Sequence, residues 1–281
     1  MESSKYVDLH IHTNRSDGSD FVEDCIRIAA EEGLKAIAIT DHNSFDAVED
    51  AICIGEEYGV DVIPAIEIDV DYIYPFHFLA YFTRDGFLGL QSYFNLLKNS
   101  NPSMIAGKFL NCLKKNGYKV DVPSKNKKYL MVYDVLCLLC ENGYFETPFE
   151  AERELILGPK KIFNEDAFTL QEVIENVHRV GGVIVWAHPF GSAVRLSREE
   201  ATQEIKNMKA MGLDGVEAIH FSSGMENAKY LIELAKENDL IVTGGSDYHG
   251  TYRPEIKLGF ADNIRIPYSI YQFLKSKLKD Q

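Results

Sequence analysis

Val7-Asp8-Leu9-His10-Ile11-His12 is the stretch that decides how this chain is read. It has the pattern of a β-strand, on which successive side chains point to opposite faces, so His10 and His12 project together from one face. Two imidazoles side by side at a strand end make half of a metal site. A lone His-x-His is weak evidence. The weight falls on whether the rest of the chain supplies the other half.

Outward from that strand the sequence alternates. The first strand, about 6–12, leads through a turn-rich loop, Thr13 to Ser19, into a helix at 20–32 ended by Gly33. A strand at 35–40 ends at Asp41-His42-Asn43, and a helix at 44–58 is closed by Gly59. Strands follow near 60–68 and at 76–82, the latter with His77 near its start. After residue 166 come a helix at 169–180, a strand at 182–186 ending in Ala187-His188-Pro189, a helix at 197–211 and a strand at 214–219. A helix at 225–238 and a strand at 240–244 close the series, ending at Gly245-Ser246-Asp247-Tyr248-His249. Seven strands alternating with helices predict an α/β fold with a parallel sheet closed into a (β/α)7 barrel.

In such a barrel the carboxyl ends of the strands carry the site. His10, His12, His42, Glu67, His77, His188, Asp247 and His249 all fall there. Six of the eight histidines belong to this set, a placement that scattered structural histidines would not share. Glu67 ends an apolar run, where an unpaired carboxylate would cost several kcal/mol, so a cationic partner is expected. Asp17 can serve an Asx turn before Gly18, or a metal beside His10 and His12. His77, between Phe76 and Phe78, can be a satisfied core histidine or a ligand. His178, on a helix before Gly181-Gly182, is read as structural. Glu217 and His220 are read as supporting groups outside the metal set.

Composition narrows the function classes. The chain has 281 residues, 46% hydrophobic and 26% charged, the balance of a water-soluble globular protein. No apolar run reaches the roughly 18 residues a membrane span needs. The start, Met-Glu-Ser-Ser-Lys-Tyr, has no secretory pattern, and a cytoplasmic location is expected. Five scattered cysteines suit buried thiols in a reducing compartment, and Cys137-Leu-Leu-Cys140 lies in an apolar helical run that suits core packing. A net charge of −14 disfavours long nucleic acid held through its phosphates. Residues 84–166 stand apart, with twelve basic against ten acidic residues.

His10-x-His12, Ser16-Asp17-Gly18, Thr40-Asp41-His42, Glu67, Ala187-His188-Pro189 and Ser246-Asp247-x-His249 together resemble the PHP (polymerase and histidinol phosphatase) superfamily of metal-dependent phosphoesterases. The resemblance implies a distorted seven-stranded barrel holding two to three divalent ions. It implies that His10, His12, Glu67 and Asp247 hold one ion, that Glu67, His77 and His188 hold a second, and that Asp17, His42 and His249 hold a third. Imidazole and carboxylate without thiolate independently suit Zn, Fe or Mn. The expected activity is hydrolysis of small phosphomonoesters, nucleotides foremost (AMP or a 3′,5′-bisphosphate), by attack of metal-bound hydroxide. Glu67, Asp247 and His188 are expected to carry catalysis. Alternatives are a 5′-3′ exonuclease on short 5′-phosphorylated oligonucleotides, a histidinol-phosphate phosphatase, and a metal-binding regulatory module without turnover.

The segment 84–166 separates the halves 1–83 and 167–281 that make up the expected barrel. It reads as a helical cap, with helices at 104–115 and 130–141 that share Asn-Gly stops, and lysines 119, 125, 127 and 128 between them. The insert resembles the nucleotide-phosphatase and exoribonuclease branch, but no arginine occurs between Arg84 and Arg153. Candidate phosphate contacts therefore shift to Arg195 and Arg253. The expected partner is a small phosphorylated molecule, with neither long nucleic acid nor membrane.

Overall fold

The computed structural model describes residues 5–72, 75–96, 102–122, 130, 132–157, 169–191 and 196–279. Arg195, Lys125, Lys127 and Lys128 lie outside the described residues. The strands are β1 (Tyr6–Ile11), β2 (Leu34–Ile39), β3 (Asp61–Val62), β4 (Ala65–Asp71), β5 (Pro75–Tyr81), β6 (Val183–Trp186), β7 (Gly215–His220), β8 (Ile241–Gly245) and β9 (Ile266–Pro267). Helices α1 (Val22–Glu31) and α2 (Val48–Tyr58) follow β1 and β2. Helices α3 (Arg84–Leu96), α4 (Pro102–Lys115), α5 (Val132–Glu141) and α6 (Pro148–Glu152) lie between β5 and β6, with a π-helical turn at Arg153–Leu157. Helices α7 (Leu170–Arg179), α8 (Arg198–Met211), α9 (Gly224–Glu237) and α10 (Tyr268–Lys275) complete the chain.

The α/β class holds, but the strands form two sheets, ordered β3-β2-β1-β9 and β4-β5-β6-β7-β8, rather than the single closed parallel ring expected from the alternation. Two local causes are visible. Pro64 interrupts the expected strand at 60–68, because it has no N–H for a ladder; β3 stays beside β2 and β4 joins the other sheet. Only residues 72–74 join β4 to β5, far too few for the helical crossover a parallel pair requires, so the two pair antiparallel from Ala65 opposite Tyr81 to Asp71 opposite Pro75. β5 and β6 are antiparallel as well, while β6, β7 and β8 run parallel across α8 and α9. Backbone hydrogen bonds stitch the sheets at two seams. Glu67 N donates to Thr40 O at 3.2 Å and Asn43 N to Glu67 O at 2.8 Å. On the other side Asp247 N donates to His10 O at 3.0 Å and His12 N to Tyr248 O at 2.9 Å.

Alternation along the strands sorts side chains between two cores. Ile66, Ile68, Phe76, Phe78, Ile184, Trp186, Val216 and Ala218 join a cluster with α7, α8 and α9. Ala65, Leu79, Tyr81, Val183, Val185 and Ile219 instead meet Val7, Leu9, Ala36 and Ala38 from the other sheet. By the two-residue period, Glu67, Asp69, His77 and Glu217 take that second, inner face. The buried carboxylates and imidazoles are thus the polar end of the inner core.

Capping fixes the helices that aim the strands. Thr169 with Glu172 and Ser197 with Glu200 form reciprocal capping boxes at the starts of α7 and α8. The expected Asn-Gly stops in the insert are present: Tyr118 N reaches back to Leu113 O and Tyr144 N to Leu139 O, each at 3.0 Å, past Gly117 and Gly143 at positive φ. The two stops then pack together, with the Tyr118 and Tyr144 rings 5.2 Å apart. Phe109, Leu113, Val135, Leu139 and Leu155 give the insert a hydrophobic cluster of its own.

Candidate metal centre

Glu67 lies at the middle of the site, and its two oxygens face different imidazoles. Oε2 is 3.2 Å from His10 Nε2, 3.0 Å from His12 Nε2 and 3.3 Å from His42 Nε2. Oε1 is 3.1 Å from His77 Nδ1 and 3.0 Å from His188 Nε2. Asp247 Oδ1 adds to the first group, 3.5 Å from His10 Nε2 and 3.2 Å from His12 Nε2. Asp17 makes a further group: Oδ1 is 3.2 Å from His12 Nδ1, while Oδ2 is 3.1 Å from His249 Nε2 and 3.8 Å from His42 Nε2. All nine residues singled out from the sequence as ligands therefore converge.

The seams explain why they can. Gly245 lets β8 lie against β1, since a Cβ there would fall 2.6 Å from His10 N and collide with the His10 side chain. Asp247 and His188, each just beyond a strand, hold left-handed backbones at φ 60° and 29°. Such conformations cost of order 1–3 kcal/mol and persist only where the surroundings impose them. Below the ligands, Asp41 accepts from Thr13 N and Oγ1 at 2.8 and 2.7 Å and from Ser16 Oγ at 2.5 Å, fixing the loop that carries Asp17. Asp8 does the same for the other loop, accepting from Ser246 N and Oγ and from Gly259 N.

Two residues at the site escaped the sequence reading or were underweighted in it. Asp69 was missed, although Glu67-x-Asp69 carries the same two-residue signal as His10-x-His12 on a strand. Its Oδ1 is 3.0 Å from His42 Nδ1 and 3.5 Å from His77 Nε2, and Asn43 Nδ2 donates to its Oδ2 at 2.6 Å. Glu217, read as a supporting group, holds His10 Nδ1 at 3.0 Å and accepts from His188 N at 2.9 Å. A carboxylate on Nδ1 leaves Nε2 of His10 turned to Glu67, which is how protein second partners orient metal-binding imidazoles. His220 is buried and its Nε2 has no hydrogen-bond partner among the described residues; it lies 3.5 Å from Asp247 Oδ2. His178 pairs with Asp214 at 2.8 Å, away from these groups, as a structural residue should.

The electrostatics ask for positive charge. Asp17, Glu67, Asp69, Glu217 and Asp247 surround the imidazoles, and Arg253, whose Nη1 is 2.7 Å from Asp247 Oδ2, is the guanidinium paired with them among the described residues. Burial opposes an imidazolium at His10, but Glu217, Glu67 and Asp247 outweigh it and lift its pKa well above the ordinary value. His12 is raised the same way, burial being overcome by Asp17. His42, buried beside Glu67, Asp69 and Asp17, is pushed up to about 10. His188 goes the other way, lowered chiefly by burial.

Bound cations would meet the same demand. His10 Nε2 and His12 Nε2 are 3.1 Å apart, and with Glu67 Oε2 and Asp247 Oδ1 they leave the spacing of about 3.3 Å that four ligands take around a tetrahedral ion with bonds near 2.0–2.1 Å. Sets of three that could hold an ion include His10/Glu67/His188, His10/His12/Asp247, His12/His42/Glu67 and His12/Asp17/His249. The donor atoms fit the divalent ions expected from the ligand types.

Comparison with known proteins agrees with this geometry. The model of the PHP domain family matches residues 8–182, well over half of the chain. The chain belongs to the PHP domain family. The phosphoribosyl 1,2-cyclic phosphate 1,2-diphosphodiesterase of Eggerthella lenta is 26% identical over 264 residues, covering 90% of this PHP chain and 97% of that protein. The 5′-3′ exoribonuclease of Haemophilus influenzae is 23% identical over 253 residues, covering 88% and 90%. Both names denote hydrolysis of phosphoric ester bonds. Among solved structures, a protein of Bifidobacterium adolescentis described as a metal-dependent phosphoesterase superposes with a TM-score of 0.75 at 24% identity, over 99% of this chain and 98% of that one. That likeness speaks for the fold.

Burial pushes up the phenol of Tyr133 in α5 and the carboxyl of Glu152 in α6, with Arg253 opposing the shift at both and His77 opposing it at Glu152. No helix among the described residues is long and apolar enough to cross a membrane.

Proposed function

We propose that this chain is a metal-dependent phosphoesterase hydrolysing small phosphomonoesters, with nucleotides such as AMP or a 3′,5′-bisphosphate foremost. The division of Glu67 between two sets of imidazoles carries the reading, since one carboxylate serving two cations is the arrangement a multinuclear phosphoesterase needs. His10, His12, Glu67 and Asp247 would hold one ion, Glu67, His77 and His188 a second, and Asp17, His42 and His249 a third, as Zn, Fe or Mn. Bound there, the ions supply Lewis acidity toward phosphoryl oxygens and a water acidic enough to ionise near neutrality.

The chain's own groups do the rest. Glu217 and Asp69 orient His10 and His42 through their Nδ1 atoms. Arg253 engages Asp247 through Nη1, and its half-exposed side chain keeps other N–H donors for a phosphate oxygen. Arg195 is a second candidate for that contact. The helical segment 84–166, which follows β5, would screen what approaches. Five unpaired cysteines support a reducing, cytoplasmic setting.

A second reading, cleavage of a phosphodiester, is favoured by relatives named for a cyclic phosphate and for RNA, each aligned over nearly the whole chain. The test is phosphate release from AMP, adenosine 3′,5′-bisphosphate, histidinol phosphate, a 5′-phosphorylated trinucleotide and a ribosyl cyclic phosphate by Mn²⁺-loaded protein, beside Glu67→Ala. Turnover of one that the variant lacks establishes the activity and selects its branch. No turnover of any, at full metal occupancy, would favour a binding module instead.

A further inference from the structure

His220 closes β7 with its ring beside two of the ligand imidazoles, the centroids lying 6.0 Å from that of His10 and 5.2 Å from that of His188. The turn after it fixes which nitrogen carries hydrogen. Ser222 N donates to His220 Nδ1 at 3.2 Å, and Ser222 Oγ lies 2.7 Å from the same nitrogen. A neutral imidazole whose Nδ1 accepts carries its hydrogen on Nε2. Gly191 lets that turn pack closely, because a Cβ there would collide with Ser222 Oγ.

The Nε2–H so defined is unspent. The His220 side chain is only 2% exposed, and its Nε2 has no hydrogen-bond partner among the described residues. Buried donors are ordinarily paired, and one left over calls for an acceptor. Asp247 does not fill the place. Its Oδ2 is 3.5 Å from His220 Nε2 and already takes Arg253 Nη1 at 2.7 Å, while its Oδ1 turns to His10 and His12. A metal ion does not suit it either. His10, Glu217 and His220 come close enough to form a ligand set, but Glu217 occupies His10 Nδ1, and Nε2 of His220 has no lone pair in this tautomer.

We propose that His220 is a substrate-binding residue whose Nε2–H, together with Arg253, engages a terminal phosphoryl oxygen, so that the site selects phosphomonoesters over diesters. The proposal rests on the phosphoesterase reading above and deepens it. A monoester carries three terminal oxygens and a diester two, so donors outside the ligand sets are worth most to the monoester. Both donors gather at the Asp247 oxygen that is not turned to His10 and His12, which leaves the ion-facing oxygen undisturbed.

The experiment uses metal-loaded wild type, His220→Asn and His220→Gln. Asparagine can still accept from Ser222 N but falls short of the Nε2 position, whereas the glutamine amide reaches it and still donates. The measurements are kcat/KM on p-nitrophenyl phosphate and on bis(p-nitrophenyl) phosphate, inorganic phosphate affinity by calorimetry, and metal content by elemental analysis. His220→Asn should keep its metals and lose about tenfold or more in monoester kcat/KM and in phosphate affinity, the scale of one hydrogen bond to a charged group. It should lose less on the diester, and His220→Gln should recover part of the loss. Unchanged monoester kinetics in His220→Asn, an equal loss on both esters, or a loss of metal would overturn the proposal and leave the phosphoesterase reading standing. A wild type that hydrolyses neither ester yet binds phosphate through His220 would overturn that reading while keeping the phosphate contact. One that cleaves only the diester, or that neither hydrolyses nor binds phosphate, would overturn both.

Discussion

Glu217 Oε1 lies 3.0 Å from His10 Nδ1, both groups being wholly buried, and the other carboxylate oxygen accepts from His188 N at 2.9 Å. One side chain thus holds the ring of one imidazole and the backbone of another. Glu217→Gln should retain the shape but lower metal affinity by about 10–100-fold, the usual effect of losing such a partner. Competition with a chelator of known affinity measures it; an unchanged affinity would deny Glu217 this orienting role.

Glu67 faces two sets of imidazoles and Asp17 only one. Glu67→Ala should therefore disturb two ions, whereas Asp17→Ala or His42→Ala should weaken one selectively. Metal analysis of the purified variants decides the matter, and equal metal content in all three would sink the ligand assignment.

Gly245 has no room for a side chain beside His10. Gly245→Ala should cost about 1–3 kcal/mol of stability, as overpacking in a dense core does, and should loosen metal binding by pushing β1 from β8. Urea unfolding monitored by circular dichroism would read the first effect, and a wild-type midpoint would show that the seam yields.

Asp214 accepts from Ile184 N at 2.9 Å and pairs with His178 Nε2 at 2.8 Å, a hydrogen bond that raises the His178 pKa above its ordinary value. A raised folded-state pKa contributes stability that is present below the unfolded value of about 6.5 and is lost as pH rises through the folded value. The pair is partly exposed, so the effect should be small. Asp214→Asn should lower the His178 pKa in an NMR titration, and the stability gap to wild type should be wider at pH 6 than at pH 9. A gap independent of pH would show that only the Ile184 hydrogen bond matters.

Much of the site was legible in the residues because strand periodicity and ligand chemistry act locally. His10-x-His12 needs only the two-residue repeat, and Glu67 after an apolar run needs only the cost of a buried charge. The same repeat could have found Asp69. Helix ends were equally local, as the two Asn-Gly stops and the capping boxes show. The closed parallel ring was not legible correctly, because strand pairing depends on which edges meet: Pro64 and the short 72–74 link sent β4 into the second sheet.

Most strands and helices between residues 6 and 245, the Asn-Gly helix stops and the identity of the groups able to bind cations could be read from the residues, since each follows from neighbours along the chain. The folded chain alone shows that Glu67 divides its oxygens between two sets of imidazoles and that Glu217 sits behind His10. Those relationships join residues separated by dozens to hundreds of positions. They are set by how two sheets meet at their seams, which no local periodicity encodes.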